Sequence, residues 1–419
     1  LKKIFFSICI SLNALAQPIN FDAKGILYLE DGDFGPFSYS TRLIDRLGSD
    51  KMGAFLFPLQ FEDTFKNTEQ IISNSVLNGS RTIALKSDNR MCYVLESKGG
   101  LKKDEKQVQF TGLPDGAYVS VVDISNLRNI KPDYRFPVAL NPRAIALNSS
   151  NEYLAVAAEG YNQELQVFEL NEFGKPIRII PKPSTLGIGV INDVIWHPNE
   201  DFIVYLKEDT KEIGMLKVIK DGPTQKIIRL EQFGSTVKFD GFPILGAFTP
   251  DGKYFLVLDA KDQIGINSPK GQVFVIKFNE NEPHALISKE DVEENPKSLV
   301  LHPDGNTILV ANLKKSFEYP INDRNTGKSS ISILSLGKDG SLVNKGNISL
   351  SGIMPLSVVF DKTGNNFAVS VFQYLNFGKS FGGIEFYKFL GGQYPRIEKQ
   401  NAIINTPSGI HYLKVIGDY

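Results

Sequence analysis

The sequence predicts an all-β, seven-bladed β-propeller. Three observations lead there: a repeated unit, the strand chemistry inside it, and the way the two chain ends complete each other. Six copies of one stretch open at Arg81, Arg143, Asn192, Ile244, Lys297 and Leu356, at intervals of 62, 49, 52, 53 and 59 residues. A self-similar unit of that length reads as a propeller blade, a small sheet that must stack on its neighbours to bury its faces.

Within a unit the first strand is an almost continuous run of small and branched apolar residues, as expected where strands crowd an axis and are covered on both faces. Seven and eight positions after each opening stand Asp88-Asn89, Ser150-Asn151, Asn199-Glu200, Asp251-Gly252, Asp304-Gly305 and Thr363-Gly364. These are tight-turn pairs, since Asn and Gly accept φ > 0. A second apolar run follows each turn. The copy that opens at Arg143 shows all four strands, over 143–148, 153–158, 165–170 and 177–181.

The ends supply the seventh blade. Residues 25–30 read as a second strand with no first strand before it, and residues 407–415 read as a first strand that then stops. Ser408 falls 52 residues after Leu356, the expected interval. The C-terminal strand is therefore expected to pair into the N-terminal blade, which closes the ring and leaves no open sheet edge there. No long amphipathic helix is legible after residue 17. The expected organisation is a signal peptide over 1–16 and a single propeller domain over 17–419.

Composition narrows the partners. With 42% apolar residues, 22% charged residues and a net charge of −1, the chain has no global basic field for nucleic acid or a membrane surface. Lys2 and Lys3, the apolar stretch 4–12 and Ala14-Leu15-Ala16 before Gln17 form a secretory-signal pattern too short to span a bilayer. A periplasmic or secreted monomer, not inserted in a membrane, is expected. Of the two cysteines, Cys9 lies in that signal, so Cys92 has no intramolecular disulfide partner.

Function is expected on the face shared by the second-to-third loops and the blade openings. Loops over 31–49, 97–117, 260–271, 314–329 and 373–383 are long enough to build a crown around the axial mouth. The last four carry eleven basic against six acidic residues. Arg81, Arg143 and Lys297 add to the same face, and such a mouth would gather carboxylates or phosphosugars, Arg binding them bidentately. Glu30, Glu96, Glu159, Glu208 and Asp259 recur at the ends of second strands. Glu96 and Glu159 are the candidate general bases, with Arg81, Arg143 and Lys297 holding an anion or oxyanion. The same carboxylates could instead form a structural ring of ion pairs between blades. Phe317, Tyr319, Tyr374 and Phe377, if exposed at a wide mouth, would suit a protein or glycan partner.

Other chemistries find no pattern. His197 and His302 sit at one repeat position in the turns of the opposite face, and neither a His pair nor a Cys cluster has metal-ligand spacing. No cofactor is expected, and Asp31-Gly32-Asp33 is too short to specify calcium. Gly-x-Ser-x-Gly, dinucleotide and phosphate-loop motifs are not found.

The wording of the repeats carries a resemblance. Residues 248–257 (Phe-Thr-Pro-Asp-Gly-Lys-Tyr-Phe-Leu-Val), residues 301–312 (Leu-His-Pro-Asp-Gly-Asn-Thr-Ile-Leu-Val-Ala-Asn) and the third strands at 271–276 and 331–336 resemble those of lactonase-like seven-bladed propellers. That group includes the bacterial 6-phosphogluconolactonase type and is close to the YVTN-type surface propellers. With Trp196 as the only tryptophan, the repeats do not look like WD40 units. The resemblance implies a lactone hydrolase or a cycloisomerase relative that uses charged residues at the axial mouth. Binding of an anionic small molecule or a protein or glycan partner, and opening of a lactone ring, all stand open at this point.

Overall fold

The computed structural model describes residues 19–417 except 46, 60–67, 78, 103, 239, 266, 280–282, 319–328 and 377–378. The signal-peptide reading of 1–16 lies outside the described residues. Among those described, seven four-stranded antiparallel sheets form the blades. Five use consecutive strands, and a sixth (Ile83–Leu85, Met91–Leu95, Tyr118–Asp123, Lys131–Pro137) skips only the short strand Gln107–Gln109. The remaining one pairs Ile410–Ile416 with Gly25–Glu30, followed by Lys51–Leu56 and Thr68–Ile71. Leu413 lies opposite Tyr28 and Val415 opposite Ile26, so the C-terminus closes the ring as the split repeat predicts.

The apolar runs are explained by what lies on either side of each sheet. With the closing blade as blade 1, the copies that open at Arg81, Arg143, Asn192, Ile244, Lys297 and Leu356 are blades 2 to 7. On the second strand of blade 3, Tyr153, Ala155 and Ala157 face a core shared with blade 4, while Leu154 and Val156 face a core shared with blade 2. In the closing blade Ile26 and Tyr28 pack toward blade 7, and Leu27 and Leu29 toward blade 2. Side chains alternate across a strand, so a strand covered on both faces needs apolar residues at every position. A fully buried Val, Leu or Ile contributes about 1.5–3 kcal/mol. Seven such cores, one between each pair of neighbouring blades, hold the ring.

The turn pairs behave as their chemistry requires. Asn89, Asn151, Glu200, Gly252, Gly305 and Gly364, all at one repeat position, have φ between 53° and 76°. Glu200 is the costly choice there. Its carboxylate accepts hydrogen bonds from Asn148, Ser149 and Ser150 in the turn of blade 3, which accounts for its presence. His197 and His302 reach the turn carbonyls of the next blade, Gly252 O at 3.1 Å and Gly364 O at 3.2 Å, and act as ties between blades.

Two departures occur on the crown face. Within the expected loop 373–383, the described residues are strand: Asn366–Asn376 pairs with Lys379–Leu390, with Tyr374 opposite Phe381 beyond a bulge. Within the loops of blades 1 and 2, the short strands Leu43–Asp45 and Gln107–Gln109 pair with each other, and Ser38–Thr41 is helical. No described helix is long and apolar enough to cross a membrane.

Candidate ligand site at the axial mouth

The crown is a packed unit with a core of its own. Phe34, Tyr39, Ile44, Leu113 and Phe317, from the loops of blades 1, 2 and 6, are buried together with Phe372 of the strand Asn366–Asn376 in blade 7. Phe317 is fully buried and Tyr374 is 6% exposed, so neither is the exposed mouth aromatic the sequence suggests. Tyr319 and Phe377 lie outside the described residues.

Between this roof and the openings of blades 3 to 6 lies a cavity of 230 Å3. Arg143, Asn192, Glu208 and Lys297 line its axial side, and Tyr39, Arg42 and Phe110 its crown side. Arg42 reaches from the blade 1 loop to the Ile264 carbonyl of blade 5 (3.3 Å) and lies 5.6 Å from the Phe110 ring centre. Sequence reasoning missed Arg42, because its neighbourhood depends on how the two loops pair.

The predicted site residues separate into three groups. Arg143 is at the mouth: its Nε donates to Glu159 Oε1 at 2.9 Å, Nη2 to the same oxygen, and Nη1 to Glu208 Oε2 and Asn192 Oδ1. One guanidinium thus gathers the second-strand acids of two blades, and Glu208 faces the cavity. Arg81 lies deeper. Its Nε and Nη2 each sit 3.2 Å from the Asp193 carboxylate, and Nη2 also donates to Gly246 O at 2.7 Å. This clamp ties blade 2 to blades 4 and 5 across the axis. Glu96 does not line the cavity; its Oε2 accepts the Ala117 N–H at 3.2 Å within its own blade. Glu30 and Asp259 are likewise engaged locally, by Lys51 and by Lys261 with the Phe242 N–H.

Lys297 has a different standing. It is half-buried, lines the mouth cavity and the channel below it, and has no hydrogen bond or ion pair among the described residues. Burial, together with repulsion from Arg143, brings its ammonium down to about 8. Among the described residues no carboxylate claims it, in contrast to Arg143.

The Asp31-Gly32-Asp33 stretch gains Asp50, and the three buried carboxylates lie within 4.8 Å of one another. Asp31 accepts the N–H groups of Phe34 and Val76, both at 2.8 Å, and Asp50 those of Gly32 at 3.0 Å and Asn74 at 3.2 Å. Main-chain donors thus account for these oxygens as a scaffold for the blade 1 loop. Cys92 is buried, and burial pushes its thiol up, away from reactivity. His411 is held by Asn74 Oδ1 at 2.7 Å, and burial brings its imidazole down to about 4.

No protein-family model matches the sequence, and no curated protein matches it. Solved structures do. A candidate 6-phosphogluconolactonase from Bacteroides uniformis superposes with a TM-score of 0.60 at 13% identity, covering 94% of this chain and 100% of that one. A periplasmic gluconolactonase from Pseudomonas aeruginosa gives 0.61 at 14% identity, covering 94% and 99%. A Lactobacillus plantarum protein gives 0.60 at 12% identity, with the same coverage of 94% and 99%. The chain shares the seven-bladed fold of these proteins over nearly its whole length. At such identities the likeness speaks to the fold alone.

Proposed function

We propose that the protein binds a small anionic molecule of the sugar-acid class in the axial mouth, and that it opens the corresponding lactone. The observation that carries the binding reading is the uncommitted ammonium of Lys297 in a cavity with aromatic walls at Tyr39 and Phe110. At 230 Å3 the cavity is smaller than the roughly 300–1,000 Å3 typical of larger ligands, which favours a single small molecule over a glycan or peptide. Burial of Phe317 and Tyr374 points the same way.

Hydrolysis is the second reading, and Glu208 favours it. Its carboxylate shares the cavity with Lys297 and is held in place by Arg143. Water would attack the lactone carbonyl as Glu208 takes its proton, and Lys297 would hold the oxyanion. The ring C–O bond then breaks, and the departing oxygen is protonated to give the hydroxy acid. The fold likeness to a gluconolactonase supports this only as analogy. The reading also includes export, on the strength of the 1–16 pattern.

Calorimetric titration with gluconate and pH-stat hydrolysis of glucono-δ-lactone test it. Lys297→Met is expected to weaken gluconate about tenfold or more, the loss of one charge-assisted hydrogen bond. Glu208→Gln should slow hydrolysis by about 100-fold or more. Since Lys297 attracts an anion only while it is an ammonium, affinity should fall as pH rises through about 8. An affinity that is flat from pH 7 to 9.5 and unchanged in Lys297→Met would overturn the binding reading. Binding without turnover would remove hydrolysis alone.

A further inference from the structure

Below the mouth the axis continues as a second cavity of 240 Å3, joined to the first through Gly79, Ser80 and Lys297. Its charged lining consists of Arg81, Lys297 and Lys414, with His411 beside them and no acidic side chain among the lining residues. Asp193, behind Arg81, is already spent on that guanidinium and on the Gly246 N–H at 2.9 Å. Among the described residues the ammonium of Lys414, on the ring-closing strand, has no hydrogen bond or ion pair, and neither has that of Lys297. Arg81 Nη1 is also uncommitted, because its bonds run from Nε and Nη2.

We propose that this channel is a second anion site, below the mouth and sharing Lys297 with it, that takes a small doubly charged oxyanion of the phosphate or sulfate class between Lys297, Lys414 and Arg81. The clamp cancels one positive charge against Asp193 and leaves two ammonium groups in a narrow space without a counter-charge. A dianion matches that excess, and Arg81 Nη1 supplies a further donor. Burial and repulsion from Arg81 bring the Lys414 ammonium down to about 8, as Arg143 does to Lys297. Both shifts are what a cation without a partner shows, and an anion would reverse them. A tetrahedral oxyanion can accept from donors on several sides, and the cavity is lined by cations from three blades (Arg81 from blade 2, Lys297 from blade 6, Lys414 from the closing blade).

The test is calorimetric titration of the full chain with sodium phosphate and sodium sulfate in an oxyanion-free buffer, against chloride at matched ionic strength. Saturable one-to-one binding of phosphate or sulfate, and none of chloride, is expected. Lys414→Met and Lys414→Gln should each weaken it about tenfold or more, and Lys414→Arg should retain it. Arg42→Ala, at the mouth roof, should leave phosphate binding unchanged, and Lys414→Met should leave gluconate binding unchanged. Lys297 is common to both sites, so these two variants, each confined to one cavity, are what tells them apart. Without oxyanion, Lys414→Met should melt at or above the wild-type temperature, because it deletes a charge that has no partner. Phosphate binding that is absent from wild type, or equal in Lys414→Met, would overturn the proposal. So would a lower melting temperature of oxyanion-free Lys414→Met and Lys414→Gln that Lys414→Arg restores, since the ammonium would then be structural.

Discussion

Glu30 shows how a single group near the mouth can be destabilising in the fold. Its side chain is buried, Oε2 has no hydrogen-bond partner, and its nearest cation, Lys51 at 3.8 Å, is shared with Glu69 at 3.1 Å. Burial outweighs Lys51 and raises its carboxyl to about 7. The folded state then holds this proton where the unfolded chain has released it, so stability contributed by Glu30 falls as pH rises from about 4.5 to 7 and stays low above. Glu30→Gln is expected to raise unfolding free energy by about 1–2 kcal/mol at pH 8 and hardly at pH 4, read from denaturant melts at both values. An equal effect at both pH values would refute that account. Residue chemistry was partly legible in the sequence. Arg143 and Lys297 stand at blade openings and do reach the mouth. That Glu159 and Glu208 would share Arg143, while Glu96 turns to Ala117, depends on side-chain direction, which a repeat does not encode.

At the scale of elements the crown is the informative unit. Its core assembles residues from the loops of blades 1, 2 and 6 with Phe372 of a blade 7 strand, and those loops show no helical or strand period, so the sequence offers their lengths and no packing. Phe317 illustrates the difference: in a long charged loop it looks like a surface aromatic, yet it is fully buried beside Tyr39 at a ring distance of 5.8 Å. Phe317→Ala should cost the crown about 3–5 kcal/mol of local packing. The ring should remain intact, because its seven cores do not include this residue. Limited proteolysis should accelerate within 97–117, and gluconate affinity should drop, while hydrogen-exchange protection of the inner strands stays as in wild type. Loss of protection throughout the ring would show that crown and propeller unfold as one.

At the scale of the molecule, the fold was legible because turn residues and double-faced apolar strands recur at a fixed place in every unit. Closure was legible because each chain end carries what the other lacks. A chain ending at Pro407 should lose cooperative unfolding and aggregate, because Gly25–Glu30 would present an unpaired edge where Ile410–Ile416 now pairs. A monomeric truncated protein with an unchanged melt would contradict closure by that strand. Closure also places Lys414 beside the lower cavity, so the terminal strand both closes the ring and lines that channel. The central claim concerns the mouth, and a crystal structure of the protein soaked with gluconate tests it most directly. The account predicts the ligand carboxylate beside Lys297, its body against Tyr39 and Phe110, and Glu208 facing the carboxyl carbon. Gluconate on the outer crown or on the turn face, with the mouth filled only by water, would contradict it.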